Sequence, residues 1–154
     1  MNYNQNTWWP LGFETHFKSD QPYPILSPFG ALVVFKSNHQ WACFKDICPH
    51  RGAPLSHGWV QNGQLVCPYH GWCFDSKGKN TFVPVTNKTT DAALEVVSLH
   101  SRGGILWATQ QPKAPFPSIS SLIHDLTLGG STSANLLNTL ENFLEGSHTH
   151  YVHN

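Results

Sequence analysis

The sequence predicts a mainly β domain followed by a short segment of different character. Short apolar runs of β-forming residues recur through about the first 110 residues, and clusters of Gly, Asn and Ser separate them. Prolines and serines replace this pattern after Gln111, and helical periodicity first appears beyond Gly130. A chain of 154 residues is long enough for one ordinary domain, or for one domain and part of another.

The β pattern consists of short runs in regular succession. They are Ala31–Phe35, Trp41–Phe44, Leu65–Val66, Trp72–Phe74, Leu94–Leu99 and Ile105–Ala108. Turn signals at 37–38, 61–63, 76–78 and 102–104 lie between them. Short strands at this spacing are typical of an antiparallel sandwich or barrel, so we predict a β domain over residues 1–112.

The remaining residues predict a linker and the start of a helix. Pro112, Pro115 and Pro117 precede a serine-rich stretch, which predicts a linker over 113–132. Within 133–154 one apolar stripe has helical spacing, and it comprises Leu136, Leu137, Leu140, Phe143 and Leu144. A single helix after a β domain has little to pack against, so we expect this segment to be the truncated start of an α+β domain.

Composition narrows the classes of function. The chain has 9 basic and 9 acidic residues without a Lys/Arg cluster, which argues against nucleic acid as a partner. No stretch approaches the ~20 apolar residues of a membrane span, and the first residues do not resemble a signal peptide. The spacing of the four cysteines favours metal binding in a reducing compartment. We therefore expect a cytoplasmic protein without a membrane partner.

Two short motifs carry the chemistry, Cys48-Pro49-His50 and Cys67-Pro68-Tyr69-His70, with sixteen residues between them. Each offers one thiolate and one imidazole. Two cysteines and two histidines suit a Rieske [2Fe–2S] cluster, in which His₂ replaces Cys₂ on one iron. We predict that Cys48, His50, Cys67 and His70 bind this cluster and that the domain transfers single electrons.

Two other interpretations of these motifs remain open. Structural zinc sites usually pair like ligands, as C-x₂₋₄-C and H-x₃₋₅-H, which the two motifs do not do. Four unrelated residues are the other interpretation, but the repeated Cys-Pro-(x)-His order argues against it. Cys43 and Cys73 lie in apolar strand-like runs and are predicted to be buried structural thiols.

A family resemblance follows from these residues. Cys48–Ser56 and Cys67–Trp72, together with Trp8–Leu11 and Phe74–Gly78, resemble the Rieske regions of bacterial ring-hydroxylating and related non-haem iron oxygenases. Respiratory Rieske proteins join their two loops by a disulfide, whereas Ala53 and Tyr69 occupy the corresponding places here. The resemblance therefore implies the oxygenase type of cluster, toward the ~−150 mV end of the Rieske range.

The last residues extend the resemblance. Asn142, Glu145, His148 and His153 resemble the Asn-x-x-Asp-x-x-His-x₄-His pattern that begins the catalytic domain of these oxygenases. The resemblance implies that His148 and His153 are ligands of a mononuclear Fe(II) in a 2-His-1-carboxylate site. Glu145 stands where the family has an Asp that bridges the cluster and the iron. Direct ligation by Glu145 and His148, as in di-iron bundles, is the alternative.

The resemblance implies an oxidoreductase as the longer parent. A ferredoxin or flavin reductase would reduce the cluster, and the electron would cross to a neighbouring subunit's iron in a head-to-tail homotrimer. The iron would then use O₂ to hydroxylate or demethylate an organic substrate. The carboxylate ligand comes from later in the family's chains, so we expect this fragment to have an incomplete iron site and no oxygenase activity. The alternative is a stand-alone, Rieske ferredoxin-like electron carrier.

Overall fold

A computed structural model describes residues 7–116 of the chain. All of these lie in one compact unit, Met1–Ser118. The greater part of the predicted linker and the helix predicted within 133–154 fall outside the described residues.

The described residues form ten strands and two short 3₁₀ helices. The helices are Glu14–His16 and Leu55–His57. The strands are β1 Trp9–Phe13, β2 Tyr23–Ser27, β3 Gly30–Ser37, β4 Gln40–Lys45, β5 Trp59–Gln61, β6 Gln64–Val66, β7 Cys73–Phe74, β8 Asn80–Phe82, β9 Ser98–Arg102 and β10 Ile105–Thr109.

These strands form three sheets, with the orders β1-β10-β9, β2-β3-β4 and β5-β6-β7-β8. Every pairing between neighbouring strands is antiparallel. The predicted mainly β, antiparallel fold is therefore confirmed.

Most predicted strands are present, but one prediction is partly wrong. The predicted run Leu94–Leu99 becomes a strand only from Ser98, because β9 spans Ser98–Arg102. Leu94 and Val97 are buried, and Val96 makes only an isolated bridge to Phe44. An irregular segment that packs against the core therefore has the same apolar pattern as a strand. The sequence did not single out β1, β2, β5 or β8.

Strand β3 lies between two buried clusters of the hydrophobic core. Val33 and Phe35 belong to one buried cluster, whereas Leu32 and Val34 belong to the other. Alternate residues of a strand point to opposite faces, so β3 is buried on both sides. The first cluster also contains Phe44, Leu55, Leu65, Phe74 and the two motif cysteines, Cys48 and Cys67. The cysteines of the candidate site are therefore part of the hydrophobic core.

Candidate metal centre

The two Cys/His motifs form loops with the same backbone hydrogen bonds. In loop 1 (residues 46–56), the N–H of Cys48 donates to Ala53 at 2.8 Å and the N–H of Gly52 donates to Cys48 at 2.8 Å. Loop 2 (residues 67–72) repeats both bonds. There the N–H of Cys67 donates to Trp72 at 2.9 Å and the N–H of Gly71 donates to Cys67 at 3.0 Å. Each cysteine is thus held at the same position of the same turn.

A glycine closes each turn in the left-handed region. Gly52 has φ +72° and Gly71 has φ +67°, which residues with a Cβ adopt at an energetic cost. A Cβ on Gly71 would also lie 3.1 Å from Cγ of Pro84. Loop 2 therefore packs closely at Gly71 against the segment that follows β8.

The thiols and the imidazoles lie at different depths. Cys48 is 2% exposed and Cys67 is 1% exposed, whereas His50 and His70 are exposed. The two imidazole rings lie 4.7 Å apart between centroids. The structure therefore brings the four predicted ligands together, with the sulfur atoms in the core and the nitrogen atoms at the surface.

The environment of the Cys48 thiol is unfavourable to a free thiolate. Burial raises the pKa of Cys48 to about 11, hydrogen bonds from the backbone N–H groups of His50 and Arg51 oppose this shift, and the neighbouring Cys67 thiol adds to it. A thiolate at this position needs a cationic partner to compensate for lost hydration. The same backbone N–H groups are in place to donate to the sulfur of a bound thiolate.

The His50 imidazole favours its neutral form, which is the form that binds metals. Loss of hydration lowers the pKa of His50, and the nearby His70 and Arg51 lower it further. The His50 ring stacks on Trp72 with centroids 4.6 Å apart and an angle of 7° between the planes. Tyr69 lies 3.9 Å from the His70 ring. Both imidazoles are thus held by aromatic neighbours that belong to loop 2.

A surface cavity of about 470 Å³ lies beside the imidazoles and is lined by His50, His70, Trp72, Pro84 and Val85. Val85 is 91% exposed, so the cavity opens to solvent. The positions of Trp72, Pro84 and Val85 beside the site were not predicted from the sequence. Trp72 stands next to the second motif, but nothing in the sequence marks Pro84 and Val85 as neighbours of the site.

The donor set and its geometry fit a [2Fe–2S] cluster with mixed ligands. Two adjacent sulfur atoms can serve one iron and two adjacent imidazoles the other. Within residues 7–116, the His, Cys, Asp and Glu side chains form no group of three or more that could hold one metal ion. A two-iron cluster requires only two protein ligands for each iron, so the arrangement agrees with it.

The other two cysteines have structural environments. All four cysteines are free, and Cys43 belongs to the second buried cluster, where burial raises its pKa to about 12. The S–H group of Cys73 donates to the carbonyl of Gly71 at 3.4 Å. The prediction of a buried structural thiol is therefore confirmed for Cys43, whereas Cys73 is only partly buried. In the two-residue strand β7 the neighbouring Phe74 takes the fully buried position, so the prediction that Cys73 is buried is wrong.

The candidate residues near the end of the chain are not described by the structure. Asn142, Glu145, His148 and His153 all lie beyond residue 116, so the mononuclear iron site stays a prediction. Among the residues that are described, there is no helix of sufficient length and apolarity to cross a membrane.

Comparisons with known proteins agree with this geometry. The family model for the Rieske [2Fe-2S] domain matches residues 7–100. The chloroplastic chlorophyllide a oxygenase of Chlamydomonas reinhardtii is 30% identical over 159 aligned residues, which cover 97% of this chain and 24% of that protein. The vanillate O-demethylase oxygenase subunit of a Pseudomonas species is 35% identical over 77 residues, covering 49% of this chain and 23% of that protein.

A solved structure shows a similar fold. Apo dicamba monooxygenase superposes with a TM-score of 0.66 and is 28% identical, over 71% of this chain and 35% of its own. The chain thus spans about a quarter of the length of the two curated relatives.

Proposed function

Because the chain belongs to the Rieske [2Fe-2S] domain family, we propose that it is the electron-transfer part of a non-haem iron oxygenase. The observation that carries the proposal is the pair of buried thiols, Cys48 and Cys67, beside two exposed imidazoles 4.7 Å apart. The relatives support the oxygenase class, since they are named as an oxygenase, an oxygenase subunit and a monooxygenase.

The buried and the exposed residues of the site have different proposed roles. When bound, the [2Fe–2S] cluster supplies one-electron transfer at moderate potential. Cys48 and Cys67 would hold one iron of the cluster, and backbone N–H groups of loop 1 would compensate the sulfur charge. His50 and His70 would hold the other iron, and their exposed edges would be available to a partner for electron transfer.

The source and the destination of the electron are part of the proposal. A ferredoxin or a flavin reductase delivers electrons at the imidazole edge. In the longer parent, His148 and His153 bind a mononuclear Fe(II) together with a carboxylate from later in the chain. Asn142 and Glu145 are proposed as catalytic residues of that site, with Glu145 at the sequence position of the family's bridging Asp. The parent uses O₂ to hydroxylate or demethylate an organic substrate.

Assembly and location belong to the same proposal. A head-to-tail homotrimer places the imidazole edge of one subunit near the iron of the next. A cytoplasmic location suits a site with two free thiols, because that compartment keeps cysteines reduced. The fragment of 154 residues is proposed to transfer electrons without oxygenating a substrate by itself.

Spectroscopy of anaerobically purified protein tests the electron-transfer function. We expect two irons and two acid-labile sulfides per chain, a visible absorption spectrum, and an EPR signal of mixed Cys/His ligation after reduction by dithionite. A colourless protein that contains zinc would contradict the proposal.

Iron analysis of a longer chain tests the oxygenase function. A protein that continues beyond residue 154 is expected to bind a third iron, which His148→Ala removes while leaving the EPR signal of the cluster unchanged. A constant two irons per chain, with or without that substitution, would favour the stand-alone electron carrier.

A further inference from the structure

A side-chain contact closes loop 1 at its two ends. One carboxylate oxygen of Asp46 accepts a hydrogen bond from the N–H of Ser56 at 2.7 Å, and the other accepts one from the Ser56 hydroxyl at 2.5 Å. Asp46 lies two residues before Cys48, and Ser56 follows the fully buried Leu55. One side chain therefore joins the beginning of the loop to its end.

Loop 2 is closed by different means. Its flanking residues, Val66 and Cys73, are paired in the antiparallel ladder between β6 and β7. Loop 2 is therefore the connection of a hairpin, and the strand pair fixes the distance between its ends.

Loop 1 leads out of β4 into the 3₁₀ helix Leu55–His57, so no such ladder joins its two ends in the described part of the chain. The N–H of Asp46 donates to the carbonyl of Ala31 at 3.0 Å, which attaches Asp46 to the β3 side of the sheet. The carboxylate then connects Ser56 to that fixed point. Asp46 thus does for loop 1 what the strand ladder does for loop 2.

We propose that Asp46 is a positioning residue for the cluster, because its carboxylate closes loop 1 and so holds Cys48 and His50 opposite loop 2. The proposal rests on the cluster of the proposed function. A cluster bridged between two loops needs both loops at a fixed separation. Hydrogen bonds to a charged acceptor are roughly twice as strong as those between neutral groups, so this contact is well suited to that task.

Three single substitutions distinguish a positioning role of Asp46 from a general contribution to the stability of the fold. Asp46→Asn removes the charge and leaves one carbonyl oxygen for two donors. Ser56→Ala removes only the hydroxyl bond and keeps the backbone bond. This milder variant therefore still tests the proposal if Asp46→Asn folds poorly. Asp75→Asn is the matched control, since one oxygen of Asp75 accepts the N–H groups of Lys77 and Lys79 at 2.9 Å each in the turn between β7 and β8, outside both loops.

The measurement is the rate at which reconstituted protein loses iron to a chelator, together with the EPR spectrum of the reduced protein and the thermal midpoint of the metal-free protein. Loss of a charge-assisted hydrogen bond predicts iron release about tenfold faster for Asp46→Asn. Ser56→Ala should show a smaller increase. Both spectra should broaden as the ligand geometry becomes less uniform, whereas Asp75→Asn should match the wild type in release rate and in spectrum.

Two results would overturn the positioning role of Asp46 and leave the proposed function intact. One is a wild-type release rate and spectrum for both Asp46→Asn and Ser56→Ala. The other is an equal acceleration by Asp75→Asn at a similar loss of thermal midpoint, which would make the effect one of stability. A wild-type protein without a mixed Cys/His cluster would instead overturn the proposed function, and this proposal with it.

Discussion

Gly58 leaves no space for a side chain between the segment that leaves loop 1 and the strand that leads into loop 2. A Cβ at this position would lie 1.9 Å from the carbonyl oxygen of Val66 and 3.1 Å from that of Leu55. The first separation would have to open to at least 3.0 Å, the practical limit for real Cβ contacts. Val66 directly precedes Cys67, so Gly58→Ala must displace backbone that carries a cluster ligand.

The expected loss in the free energy of unfolding depends on which atom obstructs the new Cβ. Overpacking a core costs about 1–3 kcal/mol when side chains can adjust. Here the obstacle is a backbone carbonyl whose strand is paired, with Trp59 opposite Val66, so we expect about 3 kcal/mol. For a domain of this size that corresponds to a fall of roughly 12 °C in the thermal midpoint. We also expect incomplete cluster binding, because Cys67 moves with Val66.

Gly104→Ala is the matched control. A Cβ there meets no atom within 4 Å, and only its φ of +73° is unfavourable. That strain costs about 1 kcal/mol, or roughly 4 °C, and should leave the cluster intact. The assay is thermal unfolding of both metal-free variants by circular dichroism, with iron content measured after reconstitution. Equal midpoints for the two variants, or full iron content in Gly58→Ala, would refute the steric argument.

Three further predictions concern the cysteines and a buried amide. Cys48→Ser and Cys67→Ser should each abolish the visible absorption of the reconstituted protein, whereas Cys73→Ser should retain it; a colourless Cys73→Ser protein would revise the ligand set. Burial raises the pKa of Cys43 from 9.0 to about 12, so above pH 9 an unfolded chain releases a proton that the folded metal-free protein keeps. The free energy of unfolding should therefore fall as pH rises, by up to about 1.4 kcal/mol per pH unit for this thiol. Cys43→Ala should reduce that slope in urea titrations between pH 8 and 11. An unchanged slope would contradict this prediction. Asn80 is 1% exposed; its side chain donates to two backbone carbonyls and accepts from a backbone N–H and a hydroxyl. Asn80→Ala should therefore lower the free energy of unfolding by about 3 kcal/mol or more. Urea unfolding measures this loss against the exposed control Gln110→Ala.

Turn signals at 37–38 and 61–63 predicted two hairpin turns from local sequence. The hairpin β3–β4 turns at Asn38 and His39, with φ of 50° and 63°, and Asn62-Gly63 turns the hairpin β5–β6 in the same way. Paired left-handed residues of this kind are the usual connection between two antiparallel strands. The short strand β8, Asn80–Phe82, was not predicted, because it contains no apolar run and is defined by its pairing with β7.

The sequence predicted four candidate ligands but not the residues that surround them. Cys48, His50, Cys67 and His70 stand in two local motifs, and residue type with spacing is sufficient to suggest a mixed-ligand cluster. Asp46 and Ser56 are ten residues apart, and nothing in the sequence indicates that they pair. Their contact becomes visible only when loop 1 is closed.

The sequence by itself therefore determined the mainly β class and the four candidate donors, since hydrophobic runs, turns and ligand spacing act over a few residues. The tertiary structure decided that the two loops face each other, that the sulfur atoms lie in the core and that the imidazoles lie at the surface. It also decided that Asp46 closes one loop and that Gly58 cannot carry a side chain. Each of these depends on long-range packing, because burial and close approach are properties of segments brought together from distant parts of the chain.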